Sequence, residues 1–136
     1  MSSEYGKIKS RQTVLFVEDE RNFSILVSSA LDSAGFNVLS ANDGDVATSL
    51  LKLYADQISL VLLDISLPKK DGLKVLKEMG EDYILKKIPV IILIDSKEQK
   101  EIEKAMALGA KDYVIKSEHT GAEIVEKVKI MQKIKV

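Results

Sequence analysis

Short apolar runs recur five times along the chain, at residues 14–17, 37–40, 60–63, 90–94 and 113–115. They are nearly continuous rather than alternating in polarity, as strands covered on both faces must be. Between them, apolar residues return every three or four positions. Phe23, Leu26, Val27, Ala30, Leu31 and Ala34 form one helical stripe that Gly35 can end. A second helix takes its cap from Asn42 or Asp43 and gathers Ala47, Leu50, Leu51 and Tyr54 on one side. A third opens near Gly72 with Leu73, Leu76 and Met79 inward and ends between Gly80 and Lys87. Ser96 to Gln99 and Thr120 to Glu123 match the capping box, in which a hydroxyl and a Glu or Gln side chain satisfy each other's free backbone donors. They start helices four and five. In those helices Ile102, Ala105, Met106, Ile124, Val128 and Met131 supply one inward stripe each.

Strand and helix alternate throughout, so the expected fold class is α/β, a doubly wound five-stranded parallel sheet with five helices on its two faces. Ligands of such sheets sit outside the carboxyl ends of the strands. There the chain is acidic: Glu18, Asp19 and Glu20 follow the first strand and Asp64 follows the third. Carboxylates brought together raise one another's pKa unless a cation neutralises them. An oxygen-only, partly solvated donor set favours Mg2+, which takes one or two carboxylates and keeps several waters. Lys116, after the fifth strand, reaches the same edge and can neutralise one acid or hold a phosphoryl oxygen. Glu20 alone reads as a helix cap; as a group the acids read as a site.

Composition narrows this further. The chain of 136 residues suits one domain, with a polar tail over residues 1–11 and the folded unit over residues 12–136. Twenty basic and twenty-one acidic residues leave a net charge of −1, so no overall field recommends nucleic acid or a membrane surface. Cysteine is absent, which excludes disulfides and thiolate chemistry and suits a cytoplasmic address. The polar N-terminus, with Lys7, Lys9 and Arg11, reads as neither signal peptide nor membrane span. Lys127, Lys129, Lys133 and Lys135 are interspersed with Glu118, Glu123 and Glu126, a solvated helix face rather than a nucleic-acid surface.

Segments 14–20 (VLFVEDE), 60–72 (LVLLDISLPKKDG), 89–93 (PVIIL) and 109–116 (GAKDYVIK), in this order and spacing, resemble the signature segments of response-regulator receiver domains of two-component signalling. The resemblance spans roughly residues 12 to 132. It implies a flavodoxin-like sheet in the order 2-1-3-4-5, with Asp64 accepting a phosphoryl group from a sensor histidine kinase or phosphotransfer protein. It further implies Mg2+ held by Glu18, Asp19, Asp64 and the backbone carbonyl of Ser66, with Lys116 as the matching lysine and Ile94 and Tyr113 at the switch positions. A phosphoacceptor of this kind is a signalling domain rather than an enzyme. It is expected to be monomeric before phosphorylation, with pairing through the fourth and fifth helices open on activation.

Two positions depart from the family pattern. Ile94 stands where a Thr or Ser hydroxyl normally meets the phosphoryl group, and Ser117 where a cis proline is usual. They keep open an alternative, a pseudo-receiver that binds partners through its fourth helix, fifth strand and fifth helix without useful phosphorylation. Asp95 and Ser96 are candidates for a replacement oxygen, although Ser96 is better explained by its capping box. Tyr113 reads equally as edge packing, and the lone His119 as a surface residue. An aspartate-nucleophile phosphohydrolase would want a second acid where Ser66 stands. The missing DxD pattern also argues against a topoisomerase-primase site, and the absence of a Gly-rich turn after the first strand against a dinucleotide fold.

Overall fold

A computed structural model describes residues 11–95 and 99–135. Five strands alternate with five α-helices among these residues: β1 (Thr13–Val17), α1 (Arg21–Ser33), β2 (Asn37–Ala41), α2 (Gly44–Leu53), β3 (Ile58–Asp64), α3 (Gly72–Gly80), β4 (Val90–Ile94), α4 (Gln99–Ala107), β5 (Asp112–Ile115) and α5 (Gly121–Lys135). Every pairing is parallel and the sheet runs β2-β1-β3-β4-β5, the expected flavodoxin-like order.

The continuous apolar runs are explained by two cores, one on each face of the sheet. Because successive strand side chains point to opposite faces, Val14, Phe16, Leu60, Leu62, Ile91 and Leu93 meet α1 and α5. Leu15, Val17, Val61, Leu63, Ile92 and Ile94 meet α2, α3 and α4. Beyond Thr13 and Ser59 at their amino ends, the central strands β1, β3 and β4 have no polar side chain until Asp64, and acidic residues then emerge together at the carboxyl edge.

Helix starts follow the caps. Of the two candidates for α2, Asp43 is the cap, accepting from the Val46 amide at 2.8 Å. The third helix starts where expected, at Gly72, with Asp71 accepting from the Lys74 amide at 2.9 Å. It ends at Gly80, and a 3-10 turn, Leu85–Lys87, leads into β4. At α5 the capping box is complete: the Thr120 amide donates to Glu123 at 2.8 Å and the Glu123 amide to the Thr120 hydroxyl at 3.1 Å. The box proposed for α4 includes Ser96, Lys97 and Glu98, which lie outside the described residues.

Two inward assignments fail. Leu26 is 53% exposed and Met106 41% exposed, while the cores are completed by Phe23, Val27 and Leu31 on α1 and by Ile102 and Ala105 on α4. Both misplaced residues sit at the margin of their stripe, beyond the reach of the sheet.

The loop from β3 to α3 is fastened to its neighbours. Lys70 donates to the Thr48 hydroxyl at 2.9 Å and to Glu78 at 2.8 Å, tying the loop to both α2 and α3. Gly44 packs its bare Cα against the Lys70 backbone, and Gly72 does the same against the backbone of Asp64 and Ile65, where a Cβ would overlap existing atoms. Arg11 donates to the carbonyls of Gly35 and Phe36 at 2.8 and 3.1 Å and so closes the end of α1.

Candidate functional site

The three acids after β1 meet three different fates. The Glu18 amide donates to the Ala41 carbonyl at 2.9 Å, extending the sheet by one residue, and its side chain is 1% exposed. Asp19 stays exposed. Glu20 caps α1, accepting from the amides of Asn22 and Phe23 at 3.1 and 2.8 Å, the role its sequence position suggested. At the neighbouring strand, Asp64 is itself the last paired residue, opposite Leu93, rather than the first residue beyond the strand. The sheet thereby fixes the orientation of a side chain that is 2% exposed. Its Oδ1 accepts from the Ser66 amide at 3.0 Å.

Lys116 opens a 3-10 turn after β5 and brings the strand ends together. Its Nζ donates to Glu18 Oε2 at 2.9 Å and to Asp64 Oδ2 at 3.1 Å, and lies 3.5 Å from Asp95 Oδ1. It also stands 5.0 Å over the Phe23 ring, whose face attracts a cation. One ammonium thus faces three carboxylates. Burial alone would lower its pKa, but the hydrogen bond to Glu18 and the charges of Asp64 and Glu18 outweigh that and raise it.

The carboxylates remain under-compensated. Burial pushes the Glu18 carboxyl up to about 7, against the lowering effect of its hydrogen bonds from Lys116 and the Glu20 amide. Asp64 is also raised, again by burial, against its bonds from the Ser66 amide and Lys116. Glu18 Oε1 is buried and has no hydrogen-bond partner among the described residues. Oxygens of Glu18, Asp19 and Asp64 all lie within 4.8 Å of one another. A spare buried oxygen in an all-carboxylate cluster fits a hard divalent cation such as Mg2+. The cluster opens through Asp19 and Ser66 into a cleft of about 470 Å³, also lined by Pro68, Asp71 and Glu101.

A pH signature follows. The folded protein holds a proton on Glu18 up to about pH 7, whereas the unfolded chain releases it near 4.5, so stability falls as pH rises through that window. Without divalent metal, Glu18→Gln is expected to raise the melting temperature by several degrees at about pH 8, for a gain of the order of 2 kcal/mol, and to change little at about pH 5. Thermal melts of both proteins at the two pH values check this. An equal difference at both would show that Glu18 titrates normally.

The remaining sequence candidates lie nearby in different roles. Ile94 ends β4, is 2% exposed and belongs to the core shared with α2, α3 and α4, against which the half-buried Tyr113 ring packs. Ser117 lies exposed within the 3-10 turn Lys116–Glu118. His119 is half-buried rather than a plain surface residue, with Nδ1 3.0 Å from the Ile115 carbonyl. Lys127 pairs with Asp112 at 3.0 Å. The contact of Asp95 with Lys116 was not anticipated, although its place directly after β4 puts it on the same sheet edge as Glu18 and Asp64.

A five-stranded doubly wound domain with paired acids, an isolated aspartate and a lysine converging on the carboxyl edge defines a class of signalling domain. The chain belongs to the response regulator receiver domain family, whose pattern matches residues 14–129. Among curated relatives, the transcriptional regulatory protein CpxR of Klebsiella pneumoniae is 39% identical over 103 residues, covering 76% of this chain and 42% of the relative. The alkaline phosphatase synthesis transcriptional regulatory protein PhoP of Bacillus subtilis is 32% identical over 103 residues, covering 76% of this chain and 41% of the relative. The chain thus spans about two fifths of the length of these relatives. Among solved structures, the phosphorylated cyanobacterial phytochrome response regulator RcpA superposes with a TM-score of 0.78 at 30% identity over 92% of this chain and 94% of that one. The Mn2+-bound form of response regulator Rcp1 gives a TM-score of 0.72 at 30% identity over 90% and 91%. No described helix is long and apolar enough to cross a membrane.

Proposed function

We propose that this receiver domain accepts a phosphoryl group on Asp64 from the phosphohistidine of a sensor histidine kinase or phosphotransfer protein and passes the change to an output partner. The observation that carries this reading is the Lys116 ammonium, 2.9 and 3.1 Å from Glu18 and Asp64, beside a buried Glu18 oxygen with no partner among the described residues. Glu18, Asp19, Asp64 and the Ser66 carbonyl would hold Mg2+, which when bound supplies positive charge for the oxygens of the transferring group.

The chain's own groups do the rest. The Ser66 amide and Lys116 fix the Asp64 carboxylate from two sides, so one oxygen can attack phosphorus while the P–N bond to the donor imidazole breaks and the imidazole leaves with the electron pair. Lys116 remains to hold a phosphoryl oxygen afterwards. The domain acts as acceptor and signal rather than as a turnover enzyme. It is monomeric until phosphorylated; Met106 on α4 and Ile130 on α5 leave apolar surface for a later partner.

Intact-mass spectrometry after incubation with acetyl phosphate and Mg2+ tests the reading. One added phosphoryl group is expected, and none in Asp64→Asn. Ile94 favours a second reading, a pseudo-receiver, because its buried branch offers no hydroxyl to a phosphoryl group. That reading gains if the natural protein takes up no phosphoryl group. Isothermal titration with Mg2+ provides a separate check: weak binding is expected, reduced at least about tenfold in Asp19→Asn by loss of an anionic ligand. Unchanged affinity in that variant would remove Asp19 from the metal site.

A further inference from the structure

We propose that Asp95 is an internal stand-in for the phosphoryl anion on Lys116, and that its expulsion from the ammonium couples phosphorylation at Asp64 to the start of α4. This rests on Asp64 being the phosphoacceptor.

Lys116 is held asymmetrically. Glu18 and Asp64 meet it from the buried side, whereas Asp95, 3.5 Å away, has a side chain that is 73% exposed. An ammonium has three donors and no acceptor. Two are committed to Glu18 and Asp64, whereas Asp95 faces the ammonium only as an ion pair. A phosphoryl group on Asp64 replaces the single charge of its carboxylate with about two, carried on three oxygens that project beyond it. Its oxygens and the Asp95 carboxylate then compete for one cation at distances where like charges repel. Asp95 loses that competition because it is the exposed partner: water solvates it readily once it leaves, and an exposed ion pair contributes little to hold it.

Its departure has a mechanical consequence because of where Asp95 sits. The preceding residue, Ile94, is anchored in the core, and α4 begins at Gln99. Asp95 is therefore the first residue of the connection between a fixed strand and a helix, and displacing it displaces the beginning of that connection. A hydroxyl at position 94 would draw a neighbour inward by attraction. Asp95 is instead driven outward by repulsion and needs no hydroxyl.

The test compares the natural protein with Asp95→Asn and Asp95→Glu, using beryllofluoride with Mg2+ as the phosphoryl mimic. Calorimetry gives affinity, and amide chemical shifts at Ile102 and Ala105 report on α4. The Asn variant is expected to bind the mimic about three- to tenfold more tightly, with the difference shrinking at high salt, and to show a reduced α4 response. The Glu variant should restore both natural properties, which loss of packing alone would not predict. Equal affinity and an equal α4 response in the natural and Asn proteins, with the mimic bound to both, would overturn the role of Asp95 and leave the phosphoacceptor reading intact. Failure of every protein to bind the mimic would overturn both.

Discussion

Beryllofluoride is expected to bind Ile94→Thr about ten- to a hundredfold more tightly than the natural protein, the value of one charge-assisted hydrogen bond of roughly 1.5 to 3 kcal/mol. Ile94 is the last residue of β4, next to Leu93, which pairs with Asp64, so a hydroxyl on its side chain would be offered at the same sheet edge. The substitution also has a cost. Ile94 is 2% exposed in the core that includes Ile65 and Ile115, and removing apolar volume there while adding a hydroxyl should destabilise the unliganded protein by about 1 to 2 kcal/mol. The variant should therefore melt lower alone and gain more stability from the mimic, a crossing pattern that a simple surface effect does not produce. The Tyr113 ring packs against the same core, and its signal should change more on binding in the Thr variant than in the natural protein. If the Thr variant binds no tighter and the Tyr113 response is already full in the natural protein, another group replaces the hydroxyl.

Gly72→Ala is expected to remove at least about 3 kcal/mol of stability and to lower the melting temperature by roughly 10 °C or more. The added methyl would overlap the Asp64 carbonyl and the Ile65 Cα, which are backbone atoms and cannot rotate away. The Gly72 amide also donates to the Ile65 carbonyl at 3.0 Å, so the start of α3 is bonded to the segment it would have to leave. Relief requires separating the start of α3 from the end of β3. Gly80→Ala is the control, because its new methyl meets only the Leu108 carbonyl at an ordinary 3.6 Å and alanine is the better helix former. Circular-dichroism melts distinguish them. A loss of under about 3 °C in Gly72→Ala would show that the loop yields.

The fold was legible because its physics is local and repeated. Strands buried on both faces must be apolar at every position, and the capping box of α5 needs only Thr120 and Glu123 at a fixed spacing. The acidic site was legible for a related reason: Glu18, Asp64 and Lys116 each interrupt or end an apolar run at the same edge of the sheet. What escaped notice depends on how far a neighbour reaches. Leu26 and Met106 keep helical spacing but lie past the margin of the covering sheet, which a stripe drawn from sequence does not reveal. Asn42 and Asp43 are equivalent capping side chains, and the extended backbone at Asp43, φ −154° and ψ 170°, made the choice. The contacts of Lys70 with Thr48 and of Lys116 with Asp95 join parts of the chain whose separation only the folded loops bridge.

The fastening of the β3–α3 loop makes the two walls of the site mechanically unequal. Lys70 rivets one wall to α2 and α3 through Thr48 and Glu78, and Gly44 leaves no clearance behind its backbone. On the opposite wall, Asp95 holds to Lys116 through an exposed ion pair. A force generated between the walls therefore does its work on the compliant side. A binding partner that recognises α2 and α3 should encounter the same relief whether or not the site is charged, and would serve as a constant tether. With the proposed displacement of Asp95, a partner contacting α4 would tell the two states apart.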